Sequence, residues 1–260
     1  MSDPPRLQQR YDAHVARLAS LPSLAMRAAS VRELFEGIDP MEGVWWIDQL
    51  LRGTLWGRAP EADALLALSV WLIDAHDTHY ELLKQLFEAA HEDRRQTVMY
   101  MLRDAPPHRA LAQGSKLPEV RLPMDRDVTL GERRSIATGP KLKLLDRLVD
   151  DPNPLVIERL LDNPRIKQAH VVAIAAKRPT LPELLRLVAC HTKWVQRLEV
   201  REAVVRNPFN TTGVCLKLVP TLGLPVLYQL KHASDIHPGI TAFARDLVEL
   251  REARTAPLKV

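Results

Sequence analysis

One stretch of the chain repeats itself at a spacing of 44 residues, and this self-similarity constrains the fold more than any other feature. Residues 156–164 read VIERLLDNP, and residues 200–208 read VREAVVRNP. Val, Glu, Asn and Pro recur identically, and the two apolar positions keep their character. A weaker third copy lies around Arg245 and Val248. A fixed period of this length is typical of helical repeats, in which each repeat buries its apolar stripe against its neighbours.

The residues that flank these segments predict where the helices begin and end. Thr180-Leu-Pro-Glu183 has the spacing of a capping box, with proline near the first helical position. Asn153-Pro154 starts a helix in the same way. Asn163 and Asn207 each precede proline, so we expect helices to end there, because such residues resist the right-handed helical conformation and Asn tolerates the left-handed one. The second half of the chain is therefore predicted to consist of pairs of short helices.

The rest of the chain is also predicted to be helical, which makes the whole protein all-α. Apolar residues at helical spacing predict five helices in the first half, over residues 6–19, 41–56, 62–73, 80–90 and 94–103. The pattern fails from residue 104 to about 126, where four prolines interrupt it. We therefore predict a helical N-terminal domain at 1–104, a Pro-rich linker at 105–129 and a domain of stacked helical hairpins, an α-solenoid, at 130–255.

Residues 130–252 resemble the HEAT-like and leucine-rich-repeat-variant families of bacterial α-solenoids. The resemblance depends on three motifs: DPxxxV…LLxNP at residues 151–164, TLPELL at 180–185 and VRxAVxxNP at 200–208. These motifs mark helix packing and turns rather than an active site, and they cover about half of the chain. The resemblance implies a superhelical scaffold that binds proteins or, in some members, DNA. The first half resembles no family that we can name.

The composition is that of a globular protein, with 46% hydrophobic and 26% charged residues. No apolar run approaches the roughly 20 residues that a membrane helix needs, and the N-terminal residues lack the apolar stretch of a secretory signal. We therefore expect a cytoplasmic protein without membrane insertion. The two cysteines, Cys190 and Cys215, lie in apolar helical runs and are interpreted as small buried side chains.

Motifs for catalysis or cofactor binding are missing from the sequence. There is no phosphate-binding glycine loop, dinucleotide fingerprint, GxSxG elbow or HExxH. We accordingly predict no catalytic, cofactor-binding or metal-binding residue, and no enzyme. One alternative is a metal-dependent hydrolase at residues 74–79, which read DAHDTH. The favoured interpretation of this segment is a helix end, with Asp77 or Thr78 capping the next helix.

Charge is distributed unevenly along the chain. Residues 131–260 contain 21 Lys and Arg against 13 Asp and Glu, whereas residues 1–130 contain 15 against 19. Basic residues that recur with the predicted hairpins would form a ladder on one face of the solenoid. The candidate partner-binding residues of this ladder are Arg159, Arg165, Lys167, Arg197, Arg201 and Arg206. Trp46 is added as a partner-facing anchor, because Trp45 and Trp46 are adjacent and cannot both face one core.

The leading functional hypothesis is a non-catalytic scaffold. The concave surface of its solenoid would bind an acidic segment of a protein partner, and its first half would be a second docking surface. The alternative is a DNA- or RNA-binding module, since a repeating ladder of cations would also follow phosphates. The sequence does not distinguish these two partners, and it leaves the oligomeric state open.

Overall fold

A computed structural model describes residues 4–111, 116–117, 120, 122–124 and 126–255, and these residues form helices and connections without any strand. One short 3₁₀ turn, Val219–Thr221, joins two of the helices. The helices are α1 (Pro4–Ser20), α2 (Leu24–Gly37), α3 (Pro40–Leu55), α4 (Ala59–Thr78), α5 (Tyr80–Glu92), α6 (Gln96–Leu102), α7 (Leu130–Thr138), α8 (Leu142–Leu148), α9 (Pro154–Leu161), α10 (Gln168–Ala176), α11 (Pro182–Cys190), α12 (Leu198–Val205), α13 (Thr212–Leu218), α14 (Leu224–Leu230) and α15 (Pro238–Thr255).

The chain divides into two compact units that differ from the domains predicted from the sequence. Unit 1 combines the described residues up to 105 with those from 212 onward, and unit 2 is residues 106–211. Helices α13–α15 thus group with the first part of the chain, because α13 packs on α4 and α6. The Thr212 N–H also donates to the Ala105 carbonyl at 3.0 Å. The predicted solenoid domain at 130–255 is therefore divided between the units.

The predicted linker at 105–129 lies only partly in the described structure. Residues 112–115, 118–119, 121 and 125 are outside the described residues. The start of the segment belongs to unit 2, where the Arg109 N–H donates to the Pro208 carbonyl at 2.8 Å.

Unit 1 is built around α4, whose sequence is apolar nearly all round. Leu65, Leu68 and Leu72 are completely buried, because α1, α2 and α3 all pack on this helix. Helix α2 was not among the helices predicted from the sequence. It begins at an N-cap, where the Ser23 hydroxyl accepts the Met26 N–H.

Unit 2 consists of two helix triplets rather than the predicted pairs. The first triplet is α7–α9 and the second is α10–α12, and in each the first helix packs on the third. The first helices start 38 residues apart, the second helices 40 and the third helices 44. Longer connections in the second triplet and a second helix that is two residues longer cause this drift. The 44-residue repeat in the sequence therefore aligns only part of each triplet.

Asn163, the conserved asparagine of the internal repeat, ties the first triplet together with its side chain. Its Nδ2 donates to the carbonyls of Ala137 at 2.6 Å and Gly139 at 2.9 Å, at the end of α7. Its Oδ1 accepts the Arg165 N–H at 2.9 Å. One buried amide therefore joins the end of the first helix to the end of the third.

Asn207 makes the equivalent hydrogen bonds in the second triplet, and we refer to each set as an asparagine clasp. Its Nδ2 donates to the carbonyls of Ala175 at 2.7 Å and Lys177 at 2.9 Å, and its Oδ1 accepts the Phe209 N–H at 3.0 Å. Both helices end before these asparagines as predicted, but the left-handed conformation expected of the asparagines is wrong, since Arg94 is the one non-glycine residue with a positive φ in the described chain. The asparagine occurs there for its side-chain amide, which satisfies carbonyls that a helix end leaves unpaired.

Helix starts in unit 2 follow the sequence predictions in part. Asn153 caps α9, with its Oδ1 accepting the Leu155 N–H at 3.0 Å. The capping box predicted at Thr180 is wrong, because Thr180 is buried and Leu181 precedes α11 without a side-chain cap. A capping box is formed instead by Thr129 with Glu132 at the start of α7.

Among the described residues, no helix combines the length and the apolar character that crossing a membrane requires.

Candidate anion-binding surface

Two loops of unit 2 lie side by side. The first is residues 162–167 between α9 and α10, and the second is residues 191–197 between α11 and α12. Asp162 Oδ1 lies 3.2 Å from His191 Nε2, where the two loops begin. Close by, the Trp194 indole N–H donates to the Leu161 carbonyl at 2.8 Å. These contacts tie the second loop to the end of α9.

The far ends of the two loops are also in contact. The Gln168 side-chain amide, at the start of α10, donates to the Glu199 carboxylate at the start of α12. The contacts occur in the same order along both segments, so the loops run in the same direction. Both loops are thus held at both ends by hydrogen bonds of the protein's own side chains.

Four exposed cations occupy these loops, and we refer to them as the loop surface. Arg165 and Lys167 lie in the first loop, and Lys193 and Arg197 lie in the second. Lys193 Nζ is 4.2 Å from the centre of the Trp194 ring, a cation–π contact that positions its ammonium group. The acidic side chains at the edges of the surface, Asp162 and Glu199, are those that hold the loops together. The two adjacent loops therefore carry more positive than negative charge.

The structure brings together part of the predicted basic ladder. Arg165, Lys167 and Arg197 belong to the loop surface, and Arg159 is exposed in the last turn of α9, directly before the first loop. Lys193 was not predicted, because it does not belong to the basic residues that recur with the predicted hairpins. Its position directly before a tryptophan, in a short connection between helices, could have indicated it.

Arg201 and Arg206 are not part of this surface. Arg201 Nη1 donates to the Val195 carbonyl at 2.7 Å, and burial lowers the pKa of its guanidinium to about 10. Arg206 is half-buried and its Nε donates to Glu202 at 2.8 Å, one turn earlier in α12. The predicted ladder along one face is corrected to a patch on two loops, because Arg201 and Arg206 are half-buried and their guanidinium groups hydrogen-bond within the protein.

Trp46 does not provide an exposed anchor, and that prediction is wrong. Its side chain is 2% exposed, and its ring packs edge-on against Tyr11 and His14 of α1, with centroids 5.4 Å away in each case. Its neighbour Trp45 is half-buried and also contacts Tyr11. Helix α1 covers the side of α3 on which both rings lie.

The segment at residues 74–79 forms the end of α4, which continues to Thr78. The N-cap of α5 is His79, without a side-chain cap, so the predicted capping by Asp77 or Thr78 is wrong. His79 Nε2 lies 3.0 Å from Glu36 in α2.

The side chains of His76 and Asp77, on which the metal-hydrolase alternative depends, are outside the described residues. In the part of the chain that is described, no three His, Cys, Asp or Glu side chains group as metal ligands.

Charge follows the division into units. Residues 106–211 contain 19 Lys and Arg against 12 Asp and Glu, a formal charge of +7, and the rest of the chain carries −3. The loop surface therefore lies in the basic unit.

Comparison with known proteins identifies no relative: no family model, no curated protein and no solved structure matches the chain. The all-helical fold, with helices packed against their neighbours in sequence, is compatible with a helical repeat.

Proposed function

We propose that this protein is a non-catalytic binding protein in which the loop surface of unit 2 holds an acidic segment of a protein partner. The observation that supports the proposal is the concentration of four exposed cations on two loops that hydrogen bonds tie together. We further propose that the helix triplets of unit 2 stack as in an α-solenoid, which would present these loops along one edge.

The arrangement favours binding because its cations are positioned before the partner arrives. An isolated exposed ion pair contributes only about 0.2–1 kcal/mol, largely because ordering two long side chains costs entropy. The loops are fixed at both ends, and Lys193 is positioned on the Trp194 ring, so part of that cost is already met. Arginine also binds carboxylates through two parallel hydrogen bonds, which adds geometric specificity.

A peptide suits the surface better than a single-stranded nucleic acid does. Base stacking needs an exposed aromatic ring, and Trp194, the only tryptophan of unit 2, is 4% exposed. Leu198 directly follows Arg197 and is 42% exposed. A cationic patch beside an exposed leucine matches a segment that combines acidic and apolar side chains.

The proposal is tested by fluorescence polarisation with a labelled peptide of about 12 residues that alternates Glu and Leu. The comparison probes are the same peptide with Gln for Glu and a labelled DNA duplex. We expect micromolar binding of the acidic peptide that weakens as salt rises. The double variant Lys167→Glu, Arg197→Glu is expected to lower the affinity at least about tenfold.

The matched control is the double variant Arg17→Glu, Lys84→Glu, which changes the net charge equally at exposed positions of unit 1. It is expected to keep the affinity within about twofold. Equal loss in both double variants would reduce the effect to net charge and overturn the proposal, as would equal binding of the Gln peptide. Duplex binding tighter than peptide binding at near-physiological salt would favour the nucleic-acid alternative instead.

A further inference from the structure

Unit 1 contains an open cleft of about 470 Å³ at its surface. Its lining comes from α3, from the turn between α5 and α6, from the start of α6 and from one side of α15. Small-molecule sites typically have volumes of about 300–1,000 Å³, so the cleft has room for a small ligand. Most of its lining side chains are charged.

On the α3 side, a buried carboxylate positions two arginines. Asp48 is 1% exposed, and its Oδ2 accepts from Arg52 Nε at 2.7 Å and from Arg95 Nη1 at 2.9 Å. Asp93 Oδ2 accepts from Arg95 Nε at 2.7 Å, and this hydrogen bond raises the pKa of Arg95. A guanidinium has five N–H donors, so both arginines keep donors for a ligand while Asp48 and Asp93 fix their planes.

On the α15 side, the cleft is lined by two carboxylates. Asp246 and Glu249 are one helical turn apart, and neither takes part in an ion pair among the described residues. Burial raises the pKa of Asp246, and the negative charge of Glu249 raises it further. A cation bound beside these two groups would favour the charged form of both carboxylates.

Arg94, at the edge of the cleft, has a backbone conformation that arginine rarely adopts. Its φ is 54°, and it follows the C-cap of α5 in a Schellman motif. In that motif the Arg95 N–H donates to the Ala90 carbonyl at 2.9 Å and the Arg94 N–H donates to the His91 carbonyl at 3.2 Å. Glycine is the usual residue at this position, since a side chain there costs conformational energy. The strained position brings a third guanidinium to the cleft.

We propose that this cleft binds a small zwitterionic ligand of the amino-acid class, a free amino acid or a dipeptide. Arg52 and Arg95 would hold its carboxylate, and Asp246 and Glu249 would hold its ammonium group. A phosphate-rich ligand would meet the carboxylates of the cleft, and a polyamine would meet its three arginines. A ligand with one group of each sign complements both sides. The proposal concerns a different unit and a different ligand class from the loop surface.

The experiment is isothermal titration calorimetry of the full chain with the twenty amino acids and a set of glycine-containing dipeptides. Each ligand that binds is then compared with its N-acetyl form, which lacks the ammonium group, and its amide, which lacks the carboxylate. We expect at least one ligand with a Kd between micromolar and millimolar. Both blocked forms are expected to bind at least about tenfold more weakly.

Substitutions of the side chains that line the cleft test whether the ligand binds there. Glu249→Gln and Asp246→Asn are nearly isosteric and are each expected to weaken binding about tenfold, and Arg52→Gln is expected to do the same. Glu33→Gln, at an exposed position of α2, is the control and is expected to leave the affinity unchanged. Absence of binding by every ligand, equal binding of the blocked forms, or full affinity in Glu249→Gln would each overturn the proposal. The loop-surface variant Lys167→Glu, Arg197→Glu should leave this binding unchanged, so the two proposals fail independently.

Discussion

The two units obtain their stability in different ways. Unit 1 surrounds α4, a helix of 20 residues whose leucines are buried on several sides. In unit 2 the described helices have at most nine residues, and short helices of this kind are marginal by themselves. Asparagine side chains join their ends. Apolar burial by a central helix therefore dominates unit 1, whereas unit 2 also depends on a few buried polar groups at defined positions.

The two candidate sites differ in the same way. The loop surface of unit 2 is an exposed patch of one sign, suited to a flexible acidic segment. The open cleft of unit 1 carries both signs of charge, which suits a small ligand with two charged groups.

The largest effect should come from removing apolar volume in α4. Leu68 is completely buried, and Leu68→Ala is expected to lower the free energy of unfolding by about 3 kcal/mol through lost burial and a residual cavity. Urea denaturation measures the loss, and hydrogen exchange locates it in unit 1. Met26→Ala, at a side chain that is 48% exposed, should change stability by less than about 0.5 kcal/mol. A loss below about 1 kcal/mol for Leu68→Ala would contradict a central role for α4.

A smaller effect is expected from removing one asparagine clasp in unit 2. Asn207→Ala leaves the Ala175 and Lys177 carbonyls without their side-chain donor, and the expected cost is about 2 kcal/mol. Faster hydrogen exchange in α10 and α12, with unit 1 unaffected, is the measurement. Asn153→Ala removes an N-cap from α9 and should cost about 1 kcal/mol. If Asn207→Ala lowers the free energy of unfolding no more than Asn153→Ala does, the asparagine clasp stabilises unit 2 no more than an ordinary helix cap.

Arg94 gives a prediction of the opposite sign in unit 1. Arg94→Gly is expected to raise the free energy of unfolding by about 1 kcal/mol, because glycine adopts the left-handed conformation without steric cost. Arg94→Ala keeps a Cβ at the same φ and should bring no such gain. Thermal denaturation of the three proteins distinguishes them. Equal stability of the Gly and Ala variants would show that the backbone at this turn is unstrained.

The smallest effect is a pH dependence in unit 2. Asp151 is 1% exposed, and its burial raises the pKa of its carboxyl group despite Arg133, whose Nε is 2.9 Å away. The folded state thus holds the Asp151 proton more tightly than the unfolded state does. Its contribution to stability is therefore present at low pH and is lost as pH rises through the raised pKa.

Urea denaturation from about pH 3.5 to pH 7 tests this sign. The stability of the unchanged protein relative to Asp151→Asn should decrease as pH rises, whereas its stability relative to Asp127→Asn, at an exposed position, should show no such decrease. If the free energy of unfolding of the unchanged protein instead increases relative to that of Asp151→Asn as pH rises, the ion pair with Arg133 outweighs the desolvation of Asp151.

Much of the fold was predictable because it depends on local patterns. Apolar spacing located all but one of the helices of the first half, and Asn153 was correctly predicted as a helix start. The role of Asn163 and Asn207 was not predictable, since their amides bind carbonyls 24 to 32 residues earlier in the chain. No local pattern specifies such a contact.

The candidate sites show the same limit. The excess of basic residues in the second half was visible in the sequence, and Arg165, Lys167 and Arg197 were identified from it. Whether an arginine is exposed depends on which neighbours cover its helix, and Arg201 is half-buried. The cleft of unit 1 joins Asp48, Arg95 and Asp246, which are far apart in the sequence. Only packing brings them together.

The sequence by itself determined the helical class, the repeat and the sign of the charge on each half, because these follow from composition and from spacing over a few residues. The tertiary structure decided the triplets, the division into units, the adjacency of the two loops and the cleft. These depend on which distant segments bury each other's apolar surface, and that is a property of the whole chain rather than of any segment.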